Sequence, residues 1–384
     1  MTALLRFAAS KFPRLAALFG LMLLAACGPM DLGLGRNVKV ALLVPGESER
    51  PGDQVLADSL KNAALLAASD LEGVEIELRV YYTRGTPAGA AEAAKLAADD
   101  GAKILLGPVF AESAAAAGVA VQGRGLNVLA FSNNPTIAGG NVFILGHTFQ
   151  NTANRLVSYA ASRELNNIYV AYADESSEIA GRDAIVRAIS ANRTRLAGST
   201  GFELSQDGVI NTVPIIAEEA QRSSADAIFL TSGTSGALPF LSQLLPENGL
   251  DPEETRYIGL QRWDVPSTAL SLPGLQGGWF AVPDPGLAQQ FAARYRAAYG
   301  GDPHPIAGLA YDGIAAIGAL ASTGRGDAFG KASLTQPAGF AGVNGVFRFL
   351  PDGTNERGLA VAEIRNNELM VIDPAPRSFS GPGF

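Results

Sequence analysis

Few residues in this chain are of a kind that makes or breaks bonds. Its 384 residues include one cysteine, Cys27, and two histidines, His147 and His304. Neither histidine stands near a serine in a G-x-S-x-G setting, so a serine hydrolase has no support. No cysteine–histidine group has metal-ligand spacing. No G-x-x-x-x-G-K-[ST] and no properly placed G-x-G-x-x-G is present, which leaves nucleotide use unsupported. Two carboxylate pairs, Asp99-Asp100 and Glu218-Glu219, fall on exposed ends of predicted helices, where solvation is their role. What remains is neutral hydrogen-bonding chemistry: Ser113, the run Ser132-Asn133-Asn134, and the loop Gly233-Thr234-Ser235-Gly236. Groups of this kind hold a small ligand and do not transform it. Neither a cofactor nor a metal is implied.

The surrounding elements decide where these groups stand. The run Ile104-Leu105-Leu106 ends in Gly107-Pro108, and a helix starts near Glu112-Ser113. Residues 127–131 form a second apolar run that ends at Ser132. Both read as buried parallel strands. Ser113 and Ser132-Asn133-Asn134 therefore lie just past strand carboxyl ends, the edge where open α/β sheets bind ligands. A local role stands beside each ligand role: Ser113 as a helix cap, Asn133-Asn134 as a turn before Pro135. The 233–236 loop is either an anion site at a helix start or a plain strand-to-helix turn.

Strand and helix alternate from residue 38 to 131. Strands are predicted at 38–44, 74–81, 103–106 and 127–131, with helices at 54–71, 87–101 and 112–123. The alternation restarts after 150, with helices at 151–164, 179–191, 209–222 and 236–245. Strands fall at 168–172, within 194–204, and at 227–231 and 257–260. Such alternation argues for parallel sheets covered by helices on both faces. Helices at 284–299 and 305–322 follow. The end is antiparallel in character, with strands at 345–350, 358–365 and 369–372 and turns at Pro351-Asp352-Gly353 and Asn366-Asn367. Residues 374–384 are rich in Pro, Gly and Ser and read as a flexible tail.

Residues 1–26 read as a signal peptide, with Arg6, Lys11 and Arg14 ahead of an apolar run at 15–24. The sequence Leu24-Ala25-Ala26-Cys27-Gly28 resembles a bacterial lipobox, which makes Cys27 the lipidated first residue and 27–37 a tether. By that resemblance, Gly28 after the cysteine implies the outer membrane. Cleavage removes three bases and no acids, so the net charge moves from −8 to −11. That balance disfavours nucleic acid, and leaves the lipid anchor as the membrane contact.

The runs L-L-G-P-V-F-A-E-S-A and L-A-F-S-N-N-P, with residues 308–320 and 342–349, resemble the type I periplasmic binding proteins, the Leu/Ile/Val-binding group. The resemblance spans 38–373. It implies an α/β fold of two Rossmann-like lobes joined by crossing segments and a hinge. Lobe one is expected at about 38–149 and 283–336, and lobe two at about 150–282 and 337–373. It also implies a cleft drawing on Ser113, Ser132, Asn133 and Asn134, with Gln261 about where an acid would pair a ligand ammonium. A neutral amide cannot supply that pair.

The ending G-V-N-G-V-F-R-F…R-G-L-A-V-A-E-I-R-N-N-E-L further resembles penicillin-binding protein activator lipoproteins of the LpoA or LppC type. That likeness implies a non-enzymatic outer-membrane lipoprotein facing the periplasm. Such a protein regulates peptidoglycan synthesis by docking on a class A penicillin-binding protein. The alternative is a solute-binding protein of a branched-chain-amino-acid-type ABC transporter. The two differ in the cleft, because a receptor needs polar groups converging from both lobes. On the docking view, Trp263, Trp279 and Phe280 lie in connections where an aromatic can anchor an interface; the alternative is that they fill the hinge core.

Overall fold

The computed structural model describes residues 36–379. The signal sequence, Cys27 and the tether up to residue 35 lie outside the described residues, as do the last five residues of the tail. Strand β1 (Arg36–Val44) shows why the chain folds as it does. Val40, Leu42 and Val44 enter one core, while Ala41 and Leu43 enter another. A strand apolar on both faces must sit inside a sheet covered on both sides. β2 (Val74–Tyr82), β3 (Ile104–Leu106), β4 (Val128–Ala130) and β5 (Val142–Ile144) complete that sheet in the order β2-β1-β3-β4-β5. β1, β3, β4 and β5 run parallel.

Helix α1 (Asp53–Ser69) covers one face through Leu56, Leu60, Ala63, Ala64 and Ala67. α2 (Pro87–Asp99) and α3 (Ala111–Gln122) cover the other with alanines, including Ala90, Ala94, Ala114 and Ala117. Side chains that small let the two helices pack closely against each other.

The winding then repeats. α4 (Phe149–Ser162) leads into β6 (Asn167–Ala173), β7 (Arg195–Phe202), β8 (Ala227–Leu230), β9 (Arg256–Gly259) and β10 (Trp279–Val282). α5 (Ser176–Ala191), α6 (Gln206–Arg222) and α7 (Leu238–Glu247) connect them. Their order β7-β6-β8-β9-β10 reproduces that of the first sheet, with every neighbour parallel. The molecule therefore has two α/β lobes of like topology.

The chain passes between the lobes after β5, after β10 and again near the end. α8 (Pro285–Tyr299), α9 (Gly308–Ser322) and α10 (Lys331–Leu334) return to the first lobe. There Phe291, Tyr295, Ile314 and Ile317 join the core of β1 and α1. β11 (Phe340–Gly342), β12 (Gly345–Phe349) and β13 (Asn355–Arg357) form a small antiparallel sheet. β14 (Ala360–Arg365) and β15 (Glu368–Asp373) then close the second sheet beside β10. Their turn, Asn366-Asn367, holds φ of 54° and 65°, the left-handed geometry a two-residue hairpin requires.

Several expectations are corrected. Residues 340–357 belong with the first lobe, because Phe340, Phe347 and Phe349 enter its core and Phe349 meets Phe143 edge-on at 5.7 Å. The strand expected at 358–365 is β14, which begins at Ala360. Leu359 follows the crossing, and β13 and β14 serve different sheets. The late helix begins at Gly308 rather than Pro305. β5 is an additional strand that the alternation of strand and helix does not mark, because no α-helix separates it from β4. Residues 374–379 are not loose: Ala375 is buried in the second core and the Arg348 guanidinium stacks 4.5 Å from the Phe379 ring. Trp263, Trp279 and Phe280 are all buried, so they do not offer an interface. Trp263 lies so close to Gly259 that a Cβ there would come within 2.3 Å of the indole. Among the described residues no helix is long and apolar enough to cross a membrane.

Candidate functional site

The carboxyl ends of both parallel sheets face a cleft of about 770 Å³. The first lobe contributes the loops after β3, β4 and β5, and the second those after β8 and β9. The loop after β3 is set by Gly107. Its φ is +89°, and a Cβ there would sit 2.2 Å from the Leu43 carbonyl oxygen, so glycine is required. Val109, Phe110 and Ala111 then line the cleft.

The start of α3 is one of several in the molecule that no side chain caps, and it stands at this edge of the cleft. Thr86 caps α2, Thr148 caps α4, Ser205 caps α6 and Asp284 caps α8, each by accepting a backbone N–H. α3 has Phe110 at that position and no side-chain cap. Its first-turn N–H groups, with their partial positive charge, therefore lack a side-chain acceptor at the cleft edge. Ser113, in that same turn, is 1% exposed, and its Oγ has no hydrogen-bond partner.

The remaining walls divide by chemistry. Phe110, Phe131, Val265, Ile306 and Leu309 are apolar, and Arg50 stacks on the Phe110 ring at 4.1 Å. Ser132, Asn133 and Asn134 supply polar groups from the first lobe. Thr234, Ser235, Gln261 and Arg262 supply them from the second. Asn134 Oδ1 is already engaged, accepting from Thr136 N at 3.0 Å and Thr136 Oγ1 at 2.8 Å. Ser132 Oγ accepts from Asn134 N at 3.1 Å. Gln261 Nε2 donates to the Thr231 carbonyl at 2.9 Å, which turns its Oε1 toward Gly233.

Behind the second wall stands Glu178, a buried carboxylate. Its Oε2 accepts from Ala173 N at 2.9 Å, Thr231 Oγ1 at 2.8 Å and Ser232 Oγ at 2.7 Å. It fixes the ends of β6 and β8 to each other. Arg262 is paired with Asp264, its Nε donating to Oδ1 at 2.9 Å and its Nη2 to Oδ2. Asp264 itself lines a separate, smaller pocket of about 240 Å³.

The cleft floor is the crossing chain. His147 is on the first crossing. Burial, then the Arg357 and Arg262 charges, hold its pKa well below 6.5, so it is neutral at pH 7. Beneath it lies a fully buried ion pair, with Arg357 Nη1 3.0 Å from Asp312 Oδ2. Arg357 also donates to the Leu145 carbonyl from Nε at 2.9 Å and from Nη2 at 2.5 Å. Asn344 donates to Asp312 at 2.9 Å. Asn355 donates to the Ile144 and Gly146 carbonyls at 2.6 and 2.9 Å, and accepts from Asn151 of α4 at 2.6 Å. Helix α9, the first crossing and the last crossing are thus bonded into one hinge.

Of the residues singled out in the sequence, Ser132, Asn133, Asn134 and Gln261 line one cleft. Ser113 lies off its lining and does not cap its helix. Asn134 makes the expected turn. Cys27 lies outside the described residues. Sequence reasoning passed over Glu178, Asp312, Arg357 and Asn344, which are separated by up to 179 positions between Glu178 and Arg357. It also treated Thr234-Ser235 chiefly as a turn. The signal available for that loop was its place after an apolar strand, shared with Ser132.

A family model described as periplasmic binding protein matches residues 37–368. A comparison with curated proteins finds no sequence match. Solved structures give the fold. A putative branched-chain amino acid ABC transporter protein from Rhodospirillum rubrum superposes with a TM-score of 0.74 at 16% identity, covering 88% of this chain and 100% of that one. A branched-chain amino acid ABC transporter periplasmic ligand-binding protein from Burkholderia xenovorans gives 0.68 at 18% identity, covering 88% and 94%. A solute-binding protein from Rhodopseudomonas palustris, in complex with 3,4-dihydroxybenzoic acid, gives 0.60 at 17% identity, covering 90% and 99%.

Proposed function

The chain belongs to the periplasmic binding protein family, and from that premise we propose that it is a receptor that captures a small solute in its cleft for an ABC importer. The supporting observation is the cleft, about 770 Å³ in volume and lined by polar side chains from both lobes. A volume of that order suits a small organic ligand. Structural neighbours from R. rubrum and B. xenovorans are branched-chain amino acid transporter proteins, and the R. palustris neighbour holds an aromatic acid. The lobes pivot on the bonded hinge, and a solute touching both walls favours the closed form by its extra contacts there. The protein's own role in this reading ends at binding.

The activator reading gains no support from the fold. The stretch that carries that likeness, from Gly342 to Leu369, consists here of β12, β13, the hinge arginine and the β14–β15 edge. These are parts that build the fold, and they say nothing about a penicillin-binding protein. The comparisons lend that partner no support.

The anchor at Cys27 remains part of the proposal. Cys27→Ser is expected to abolish labelling by a fatty-acid analogue; undiminished label rules out acylation there. An importer's receptor works at the inner membrane, whereas Gly28 points to the outer one. Density-gradient separation of envelope membranes distinguishes the two sites. The receptor reading is tested by titration calorimetry of the purified protein against amino acids, short-chain acids and aromatic acids. One-to-one binding by one class is expected. No binding by any of them, together with stimulation of glycan polymerisation by a class A penicillin-binding protein, would reinstate the activator.

A further inference from the structure

Resting on the receptor reading, we propose that the cleft is selective for an organic acid with an apolar body and no ammonium group, and rejects the corresponding free amino acid. The first argument is charge. Among the described residues the cleft lining contains no aspartate or glutamate. The acid behind its second wall, Glu178, already accepts three hydrogen bonds on one oxygen. Asp264 is held by Arg262 and lines the neighbouring pocket. An ammonium entering this cleft gives up its water without gaining a counter-charge, which is unfavourable. Gln261 offers only an amide, with its N–H already on the Thr231 carbonyl.

The second argument is that donors for a carboxylate are present and unspent. Arg262 engages Asp264 through Nε and Nη2, which leaves Nη1. Asn133 is exposed on the cleft wall. The first turn of α3 has no side-chain cap at the same edge. The third argument is the body of the ligand. Phe110, Phe131, Val265, Ile306 and Leu309 form an apolar enclosure that suits a branched or aromatic frame.

The test uses pairs that share body and carboxylate and differ in the ammonium: 4-methyl-2-oxopentanoate against leucine, phenylpyruvate against phenylalanine, and phenylacetate against phenylglycine. Calorimetry is run on the purified protein at neutral pH. The expected result is that at least one acid binds and does so at least ten-fold tighter than its nitrogen-bearing partner. An amino acid binding as tightly as its ammonium-free partner overturns the selectivity while leaving the receptor reading intact. If none of the six binds, native mass spectrometry of protein incubated with a small-molecule extract of the source envelope decides. A bound acid without an amine supports the inference, and a bound amine overturns it. No bound molecule at all overturns the receptor reading and the inference with it. Gln261→Glu, which places a carboxylate in the lining, is expected to weaken the acid at least ten-fold, with a lower melting temperature from the lost hydrogen bond to the Thr231 carbonyl but a cooperative unfolding transition retained. Unchanged affinity for the acid in that folded variant refutes the charge argument.

Discussion

The two lobes share one winding and treat their strand ends in opposite ways. In the second lobe the polar groups past β6 and β8 are spent inside the protein: Thr231, Ser232 and the Ala173 amide converge on Glu178. In the first lobe the corresponding edge is left open. α3 begins without a side-chain cap, and the Ser113 hydroxyl is buried without a partner. A satisfied wall is rigid and gains little from a ligand, whereas an unsatisfied one is stabilised by it. On the receptor reading, the second lobe's strand ends are fixed by Glu178, and its contacts with a ligand come from Thr234, Ser235, Gln261 and Arg262 on the loops beyond them.

The most drastic way to break the comparison is to remove what both lobes share. Arg357 is fully buried, pairs with Asp312 on α9, and donates to Leu145 on the first crossing. Arg357→Leu leaves the Asp312 carboxylate without its counter-ion. A loss of about 3–5 kcal/mol in chemical denaturation is expected. Arg357→Leu combined with Asp312→Leu removes both charges and should recover part of that loss. A single variant as stable as the parent would show that the hinge is not held by this pair.

The next pair of substitutions sharpens the contrast directly. Glu178→Ala deprives three buried donors of their acceptor. At about 1–3 kcal/mol for each group left unsatisfied, stability should fall by at least about 2 kcal/mol. Ser113→Ala removes a hydroxyl that bonds to nothing in the protein, so stability should hold or rise by up to about 1 kcal/mol. Ligand affinity should change little in Ser113→Ala, because Ser113 lies off the cleft lining. If Ser113→Ala destabilises the fold as Glu178→Ala does, the two walls are not different in kind.

This contrast explains what was legible in the sequence. The parallel sheets were readable because strands such as β1 and β8 are apolar on both faces and end at glycine, proline or hydroxyl residues. Ser132-Asn133-Asn134 followed from the same logic, since a strand's end marks the cleft. Glu178 was not readable: it sits in a helix among other polar residues, and nothing local distinguishes a buried acid from a solvated one. Arg357 and Asp312 meet across 45 positions, and their pairing depends on how the crossings align. The lobe of residues 340–357 was misassigned for a related reason. Alternating strands declare a buried face without declaring which core receives it, and Phe349 finds Phe143 only through tertiary packing.

The smallest effect expected concerns His147, on the crossing where the two walls meet. Its pKa is lowered well below 6.5, by burial first and then by the Arg357 and Arg262 charges. Above pH 6.5 the imidazole is neutral in both the folded and unfolded chains, and its full contribution to stability is present. Below that pH the unfolded chain takes up a proton that the folded chain refuses. Stability should therefore fall as pH drops from 6.5 toward the depressed folded value, with the slope of one differentially bound proton. His147→Asn removes the group that titrates, so denaturation midpoints of the variant should decline less over that window than those of the parent. An anionic ligand beside His147 offsets the neighbouring cations and makes protonation easier, so the acid proposed for the cleft should be bound with proton uptake below pH 6.5. Calorimetry in two buffers of different ionisation enthalpy measures that uptake. Proton release on binding would mean that the cleft's positive field is not what the ligand neutralises.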